Sequence, residues 1–241
     1  MRLLLRLLLY LIGYPLFNIV LKIKVTGREN LPPKGEPLIV ICNHFSWFEA
    51  PLLAGYLPYK IIFLAAEEVT EHPAARLLAY AFAAIPLRRG QVDRRALRQA
   101  TAVLENGGVI GIFPEGGIDP DLRPLTEAGE NVARIHGQTY RVDAQLIPAR
   151  PGAAYLAARS GARILPVAVT GGEQVIPNLR QRRRTAVTLI IGPPFGPLSL
   201  DKTARGPERR QKIDALGHEM MRRIAALLPP EQRGCYGEVS E

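Results

Sequence analysis

Residues 38–42 read LIVIC and pass straight into NHFSWFEAP at residues 43–51. An apolar, β-branched run bounded by turn signals is the pattern of a strand buried on both faces of a parallel sheet. His44 follows the strand directly, and an acidic residue, Glu49, comes five positions later. Two readings of this turn stand side by side. A carboxylate on one ring nitrogen of a histidine fixes its tautomer and favours the imidazolium formed when the other nitrogen takes a proton. Equally, Ser46-Trp47-Phe48-Glu49 is a capping box, in which Ser46 caps a helix and Glu49 reaches back to the cap residue's N–H. The two roles can hold together.

Outward from that turn, strands alternate with helices, which argues for one α/β domain. Further strands are predicted at 61–66 (IIFLAA), 108–113 (GVIGIF), 163–171 (RILPVAVTG) and 185–195 (TAVTLIIGPPF). Helices are predicted at about 47–55, 73–84, 93–106 with Asp93 as cap, 152–161 ending at Gly161, and 207–228. Residues 116–148 carry no strong period. A loop of that length inside a compact domain is uncommon and often functional. The tail from 229 to 241 is expected to be mobile.

The chain has 241 residues and a formal net charge of +9, with 47% hydrophobic and 22% charged residues. The length allows one sizeable core. The charge points to nucleic acid, an anionic membrane or an anionic substrate. The start, MRLLLRLLLYLIGYPLFNIVLKIKV, tilts that choice toward membrane. Leu7 to Leu21 carry no charge, but the stretch is short for a spanning helix of about 20 residues, and Pro15 interrupts it. Residues 1–24 are therefore expected to form two short helices, about 2–13 and 15–22, lying in one leaflet with Arg2, Arg6, Lys22 and Lys24 at the headgroups. The run RQRRR at 180–184 lacks the interleaved aromatics of a nucleic-acid site and suits anionic lipid. No nucleic-acid partner is expected. Cys42 and Cys235 form neither a disulfide framework nor a zinc pattern, and no metal is expected.

Two more motifs lie at strand ends, where open α/β sheets gather ligands. AIPLRRG (84–90) offers Arg88 and Arg89, and an arginine fork suits phosphate, although a solvated basic turn has the same sequence. GIFPEGG (111–117) ends a buried strand in glycines that let backbone approach a ligand, or simply make a turn.

In this order and spacing, the motifs resemble the glycerophospholipid acyltransferases of the 1-acylglycerol-3-phosphate acyltransferase type. NHFSWFEAP is similar to that family's Asn-His-x4-Asp block, with Asn43, His44 and Glu49 in the motif positions. Arg89 falls on the last arginine of the second block. Phe113, Pro114, Glu115 and Gly116 match a Phe-Pro-Glu-Gly-Thr block, and Pro166 matches the proline of a Val-Pro-Val strand. The resemblance covers about residues 25–195. It implies a glycerol-3-phosphate acyltransferase-like fold at 25–228: a mostly parallel central sheet flanked by helices, behind the N-terminal segment.

The resemblance also implies a chemistry. His44 would be the general base on an acceptor hydroxyl, oriented by Glu49, and the hydroxyl would attack the thioester of an acyl-CoA or acyl-carrier protein. No other cofactor is implied. The acceptor would be a lysophospholipid, foremost 1-acylglycerol-3-phosphate, bound by Asn43, Arg88, Arg89, the Phe113–Gly116 block, Arg150 and Pro166. The expected location is a membrane, at its cytoplasmic face.

The chain departs from the pattern in places. Glu49 replaces Asp, Gly117-Ile118-Asp119 replaces Thr-Arg-Ser, and Ala66 stands where Lys is common. Arg150, or Arg123 in the loop, is a candidate for the lost charge. These departures keep three alternatives open: a different lyso acceptor, a thioesterase, and a lipid-binding protein without turnover.

Overall fold

The computed structural model describes residues 2–67, 73–88, 93–116, 132–135, 138–141, 144–200 and 203–237. The chain opens with α1 (Arg2–Leu8), a π-helical turn (Leu9–Gly13) and α2 (Tyr14–Val20), followed directly by β1 (Leu21–Thr26). Then come β2 (Leu38–Cys42), α3 (Glu49–Tyr56), β3 (Ile61–Ala66), α4 (Pro73–Ala81), β4 (Ile85–Leu87), α5 (Arg94–Glu105) and β5 (Val109–Ile112). A small antiparallel hairpin, β6 (Val132–Ile135) and β7 (Gln138–Arg141), precedes α6 (Pro151–Ser160) and β8 (Arg163–Thr170). The chain closes with α7 (Val175–Arg180), β9 (Thr185–Ile191) and α8 (Gly206–Ala225).

Among the described residues, seven strands form one sheet in the order β1-β9-β8-β2-β5-β3-β4. From β8 to β4 the strands are parallel. β9 runs antiparallel to β8, and β1 pairs parallel with β9. The sheet is thus mostly parallel, as expected. The reversed edge also brings the amino ends of β1 and β9 to the same rim as the carboxyl ends of the other five.

Side-chain alternation along β2 explains the three layers. Ile39 and Ile41 point to a core shared with Leu104 of α5, Leu156 of α6 and Met221 of α8. Leu38, Val40 and Cys42 point to the opposite core, with Leu52 and Leu53 of α3. All five residues of β2 are buried, which is why the run reads as uniformly apolar.

Local signals set several boundaries. Asp93 accepts from the N–H groups of Arg95 and Ala96, capping α5. Gly161 ends α6 in the left-handed conformation, at φ 63°. Pro166 sits inside β8 between the ladder that starts at Val167 and the separate Ile164–Phe195 bridge, where its missing N–H leaves that ladder intact. Its carbonyl accepts from Gly192 N at 2.9 Å.

Three expectations are corrected. Residues 2–20 are helical without a break: the π turn just before Pro15 absorbs the bond that proline cannot donate. The second helix stops at Val20, because Leu21 and Lys22 already pair with Thr185 and Ala186 in the edge strand. The C-terminal segment is docked through Gly237 rather than mobile, with residues 238–241 outside the described set. Tyr236 is buried with its hydroxyl 2.8 Å from His218 Nδ1, and the carbonyl of Gln232 accepts from Leu146 N at 3.0 Å. No helix among the described residues is long and apolar enough to cross a membrane.

Candidate active site

The site is built on the three central strands, at the carboxyl ends of β8, β2 and β5. β2 delivers Asn43 and His44, β5 delivers Phe113 to Gly116, and β8 delivers Gly171 to Glu173.

His44 is gripped from three sides. Its backbone N–H donates to Glu115 Oε1 at 2.9 Å. Its ring stacks on Phe113 with centroids 4.0 Å apart and an interplanar angle of 19°, and Phe113 in turn lies parallel to Phe63. Its Nδ1 lies 3.1 Å from Glu49 Oε2. A carboxylate oxygen can only accept here, which assigns the ring proton to Nδ1. Nε2 is left with a free lone pair, and among the described residues it has no hydrogen-bond partner. The imidazole is 16% exposed, enough for a substrate to reach that nitrogen.

Glu49 opens α3 and is fully buried. A buried carboxylate is costly unless its oxygens are bonded. Oε2 accepts from Ser46 N at 2.9 Å as well as facing His44, and Oε1 accepts from Ser46 Oγ at 2.7 Å. The reach-back half of the capping box is therefore made by the same carboxylate that orients the histidine. The other half is not: Phe48, not Ser46, is the residue flanking α3, with no side-chain cap. Ser46 Oγ instead accepts from Phe48 N at 3.2 Å and stiffens the turn. Gly172 closes over this group. A Cβ there would stand 2.8 Å from Ser46 Oγ and 2.9 Å from Glu49 Oε1, so a side chain is excluded.

The remaining predicted residues divide by position. Glu115 is fully buried; besides His44 it takes the N–H of Ile147 on Oε2 at 3.3 Å, binding the long excursion after β5 back to the site. Pro114 contributes its carbonyl to Arg150 N at 2.7 Å. Gly116 has φ 85°, and a Cβ there would meet Arg150 Cγ at 2.6 Å, so the exposed Arg150 side chain lies across the glycine. Arg88 is exposed, and its Nε donates to Glu67 at 3.1 Å. Arg89 and Arg123 lie outside the described residues, as do Gly117, Ile118 and Asp119.

Two residues expected to meet substrate are placed elsewhere. Asn43 is fully buried; its amide exchanges two 2.8 Å bonds with the backbone of Val169 and so locks the end of β2 to β8. Pro166 is buried within β8 against Gly192. Cys42 lies beneath the site in β2, where burial, then the carboxylates of Glu49 and Glu115, push its thiol well above the ordinary value. That is the opposite of an activated nucleophile.

Sequence reasoning missed Glu173. It stands three residues past β8, one residue after the glycine that touches Glu49. Burial, and then the Glu49 carboxylate, raise its carboxyl above the ordinary range, and its buried Oε2 has no hydrogen-bond partner among the described residues. The sequence signal was TGGE directly after a buried strand.

A histidine whose one nitrogen is held by a buried carboxylate and whose other nitrogen is free is equipped to take a proton from a hydroxyl. The chain as a whole is similar to known proteins. The sequence profile described as Acyltransferase matches residues 22–170, more than half of the chain. The chain belongs to the acyltransferase family.

It is 24% identical over 227 residues to a Chlamydomonas reinhardtii protein named 1-acyl-sn-glycerol-3-phosphate acyltransferase, covering 91% of this chain and 57% of that one. It is 33% identical over 118 residues to a Pseudomonas aeruginosa lyso-ornithine lipid O-acyltransferase, covering 48% and 40% respectively. The matches thus span about half the length of these relatives. The crystal structure of the 1-acyl-sn-glycerophosphate acyltransferase PlsC from Thermotoga maritima shares the fold, with TM-score 0.57, 24% identity, and 89% of this chain and 77% of that one covered.

Proposed function

We propose that the protein moves a fatty acyl group from an acyl thioester, carried by CoA or acyl-carrier protein, to the free hydroxyl of a lysophospholipid, foremost 1-acylglycerol-3-phosphate. The observation that carries this reading is the His44–Glu49 pair: Nδ1 held at 3.1 Å by a fully buried carboxylate, Nε2 free.

In the reaction, Nε2 takes the hydroxyl proton as the oxygen attacks the thioester carbonyl. Glu49 stabilises the imidazolium. When the tetrahedral intermediate collapses, the C–S bond breaks and the imidazolium returns the proton to the leaving thiolate. The new ester bond and the free thiol balance the step, and no enzyme nucleophile takes part. Phe113 and Glu115 act on His44 rather than on substrate, while Arg89 and Arg150 are the cations proposed to meet the acceptor's headgroup.

A second reading changes the acceptor alone. Arg88 is engaged by Glu67, and one relative is named for a lyso-ornithine lipid. Both favour a headgroup without phosphate. Labelled acyl-CoA offered with lysophosphatidate, lyso-ornithine lipid and lysophosphatidylcholine in parallel decides between them. Fastest transfer to lysophosphatidate is the expected result. Fastest transfer to lyso-ornithine lipid makes the second reading correct. Thiol release at the same rate without any acceptor makes the protein a thioesterase.

The work is proposed to occur at a lipid surface. Leu4, Leu7, Leu11, Ile12, Leu16 and Ile19 are all more than half exposed on the N-terminal helical run, and apolar surface of that extent on a helix suits one leaflet of a bilayer.

A further inference from the structure

Between β8 and β9 the chain builds a second feature at the same rim. α7 turns Val175 into the core and leaves Ile176 38% and Leu179 50% exposed. Arg180 follows on the same face, since residues three and four apart are neighbours on a helix. Arg182 and Arg183 stand exposed just beyond, in a tight turn where Arg182 takes φ 55°. None of these three guanidinium groups has an ion-pair partner among the described residues. From Gln174 to Leu200 the chain has no acidic residue.

The turn is tied to the N-terminal helices. Arg184 donates to the carbonyls of Asn18 at 2.6 Å and Leu21 at 2.8 Å, occupying orphan carbonyls where α2 ends. The exposed Leu16 and Ile19 of α2 thus lie on the element that this arginine clamps. At its other end α7 is equally fixed. It follows the single helical turn Gly172–Gln174, whose first residue lies against Ser46 and Glu49.

From this juxtaposition we infer that α7 and the 180–183 turn form a second membrane-docking element, specific for anionic lipid. Two aliphatic side chains beside three unpaired arginines complement an apolar leaflet edge beneath negative headgroups. The element does more than add affinity. With α2 it makes two linked points of contact, and its rigid path to Gly172 fixes the height and tilt of the His44–Glu49 pair above the surface. A lyso acceptor held in the leaflet then presents its hydroxyl to Nε2 without leaving the bilayer. This inference rests on the reading that the protein works at a lipid surface, but not on turnover.

The test is partition of the full-length protein onto vesicles, with melting temperatures recorded for every variant. One set of vesicles is phosphatidylcholine alone; the other is phosphatidylcholine mixed with phosphatidylglycerol. Wild type is expected to bind the mixed vesicles more tightly. Arg180→Gln/Arg182→Gln/Arg183→Gln is expected to lose partition onto mixed vesicles on the order of a hundredfold, since each basic residue near an anionic surface contributes roughly fivefold. Its binding to phosphatidylcholine should not change. Ile176→Ser/Leu179→Ser should weaken binding to both sets. Arg184→Ala should speed hydrogen exchange across residues 14–20 and weaken binding. Wild-type binding indifferent to phosphatidylglycerol, or a triple variant that binds mixed vesicles as wild type does, overturns the inference. Vesicle partition requires no catalysis, so this result and the acyl-transfer assay can fail separately.

Discussion

Glu115 holds His44 by the backbone: its Oε1 accepts the His44 N–H at 2.9 Å, while its Oε2 takes the N–H of Ile147 at 3.3 Å. The carboxylate of the Pro-Glu-Gly segment is thus a two-sided acceptor at the base of the site. A carboxylate can accept on both oxygens, whereas an amide must turn its NH2 toward one of the two donors.

Glu115→Gln is therefore expected to destabilise the fold by about 1–3 kcal/mol, the cost of a buried donor left unpaired. The same variant should lower kcat, because His44 loses its backbone anchor. Thermal unfolding and turnover measured on one preparation check this. A variant with wild-type melting temperature and turnover means that the two contacts contribute nothing.

At Glu49 the same substitution has a different outcome. A glutamine can keep its oxygen toward Ser46 N and His44 Nδ1 and place its NH2 near Ser46 Oγ, which can accept. Glu49→Gln should cost at most about 1 kcal/mol of stability and lower kcat at least about tenfold, since a neutral amide supports the imidazolium poorly. A fall in melting temperature with unchanged turnover per folded molecule would leave the carboxylate with its reach-back role alone.

The third expectation concerns pH. Burial and the Glu49 carboxylate make folded Glu173 hold its proton more tightly than the unfolded chain does. The sign follows: its contribution is fully present below the ordinary glutamate value of about 4.3 and is lost as pH rises through the raised folded value. Glu173→Gln removes this titration. The melting temperature at pH 7 should rise, and the decline from acid toward neutral pH should flatten. A pH–stability curve identical to wild type contradicts the assignment.

How much of this was legible in the sequence depended on the range of the interactions. The parallel core strands announced themselves, because a strand buried on both faces, such as Leu38–Cys42, is apolar at every position. The caps of α5 and α6 are set within a few residues of Asp93 and Gly161, and both were readable. β1 was mostly hidden: Leu21 to Lys24 read as the end of the N-terminal segment, and the partner strand lies more than 150 residues away. Asn43 sat in a motif, but only the fold reveals that its amide is consumed by Val169. The turn around Glu49 left two readings open, and the geometry shows why local pattern could not separate them. One oxygen, Oε2, serves both the Ser46 N–H and His44 Nδ1. Glu173 escaped because its significance depends on the approach of Gly172 to Glu49, a contact between distant strand ends.

His44 is proposed as the base for acyl transfer. The most direct measurement compares wild type with His44→Ala, using labelled acyl-CoA and lysophosphatidate with phosphatidylglycerol-containing vesicles, after both proteins are shown to melt at similar temperatures. Labelled phosphatidate is expected from wild type, with a loss of at least about a hundredfold in the variant, the contribution typical of general base catalysis. Transfer at equal rates by the two proteins would contradict it.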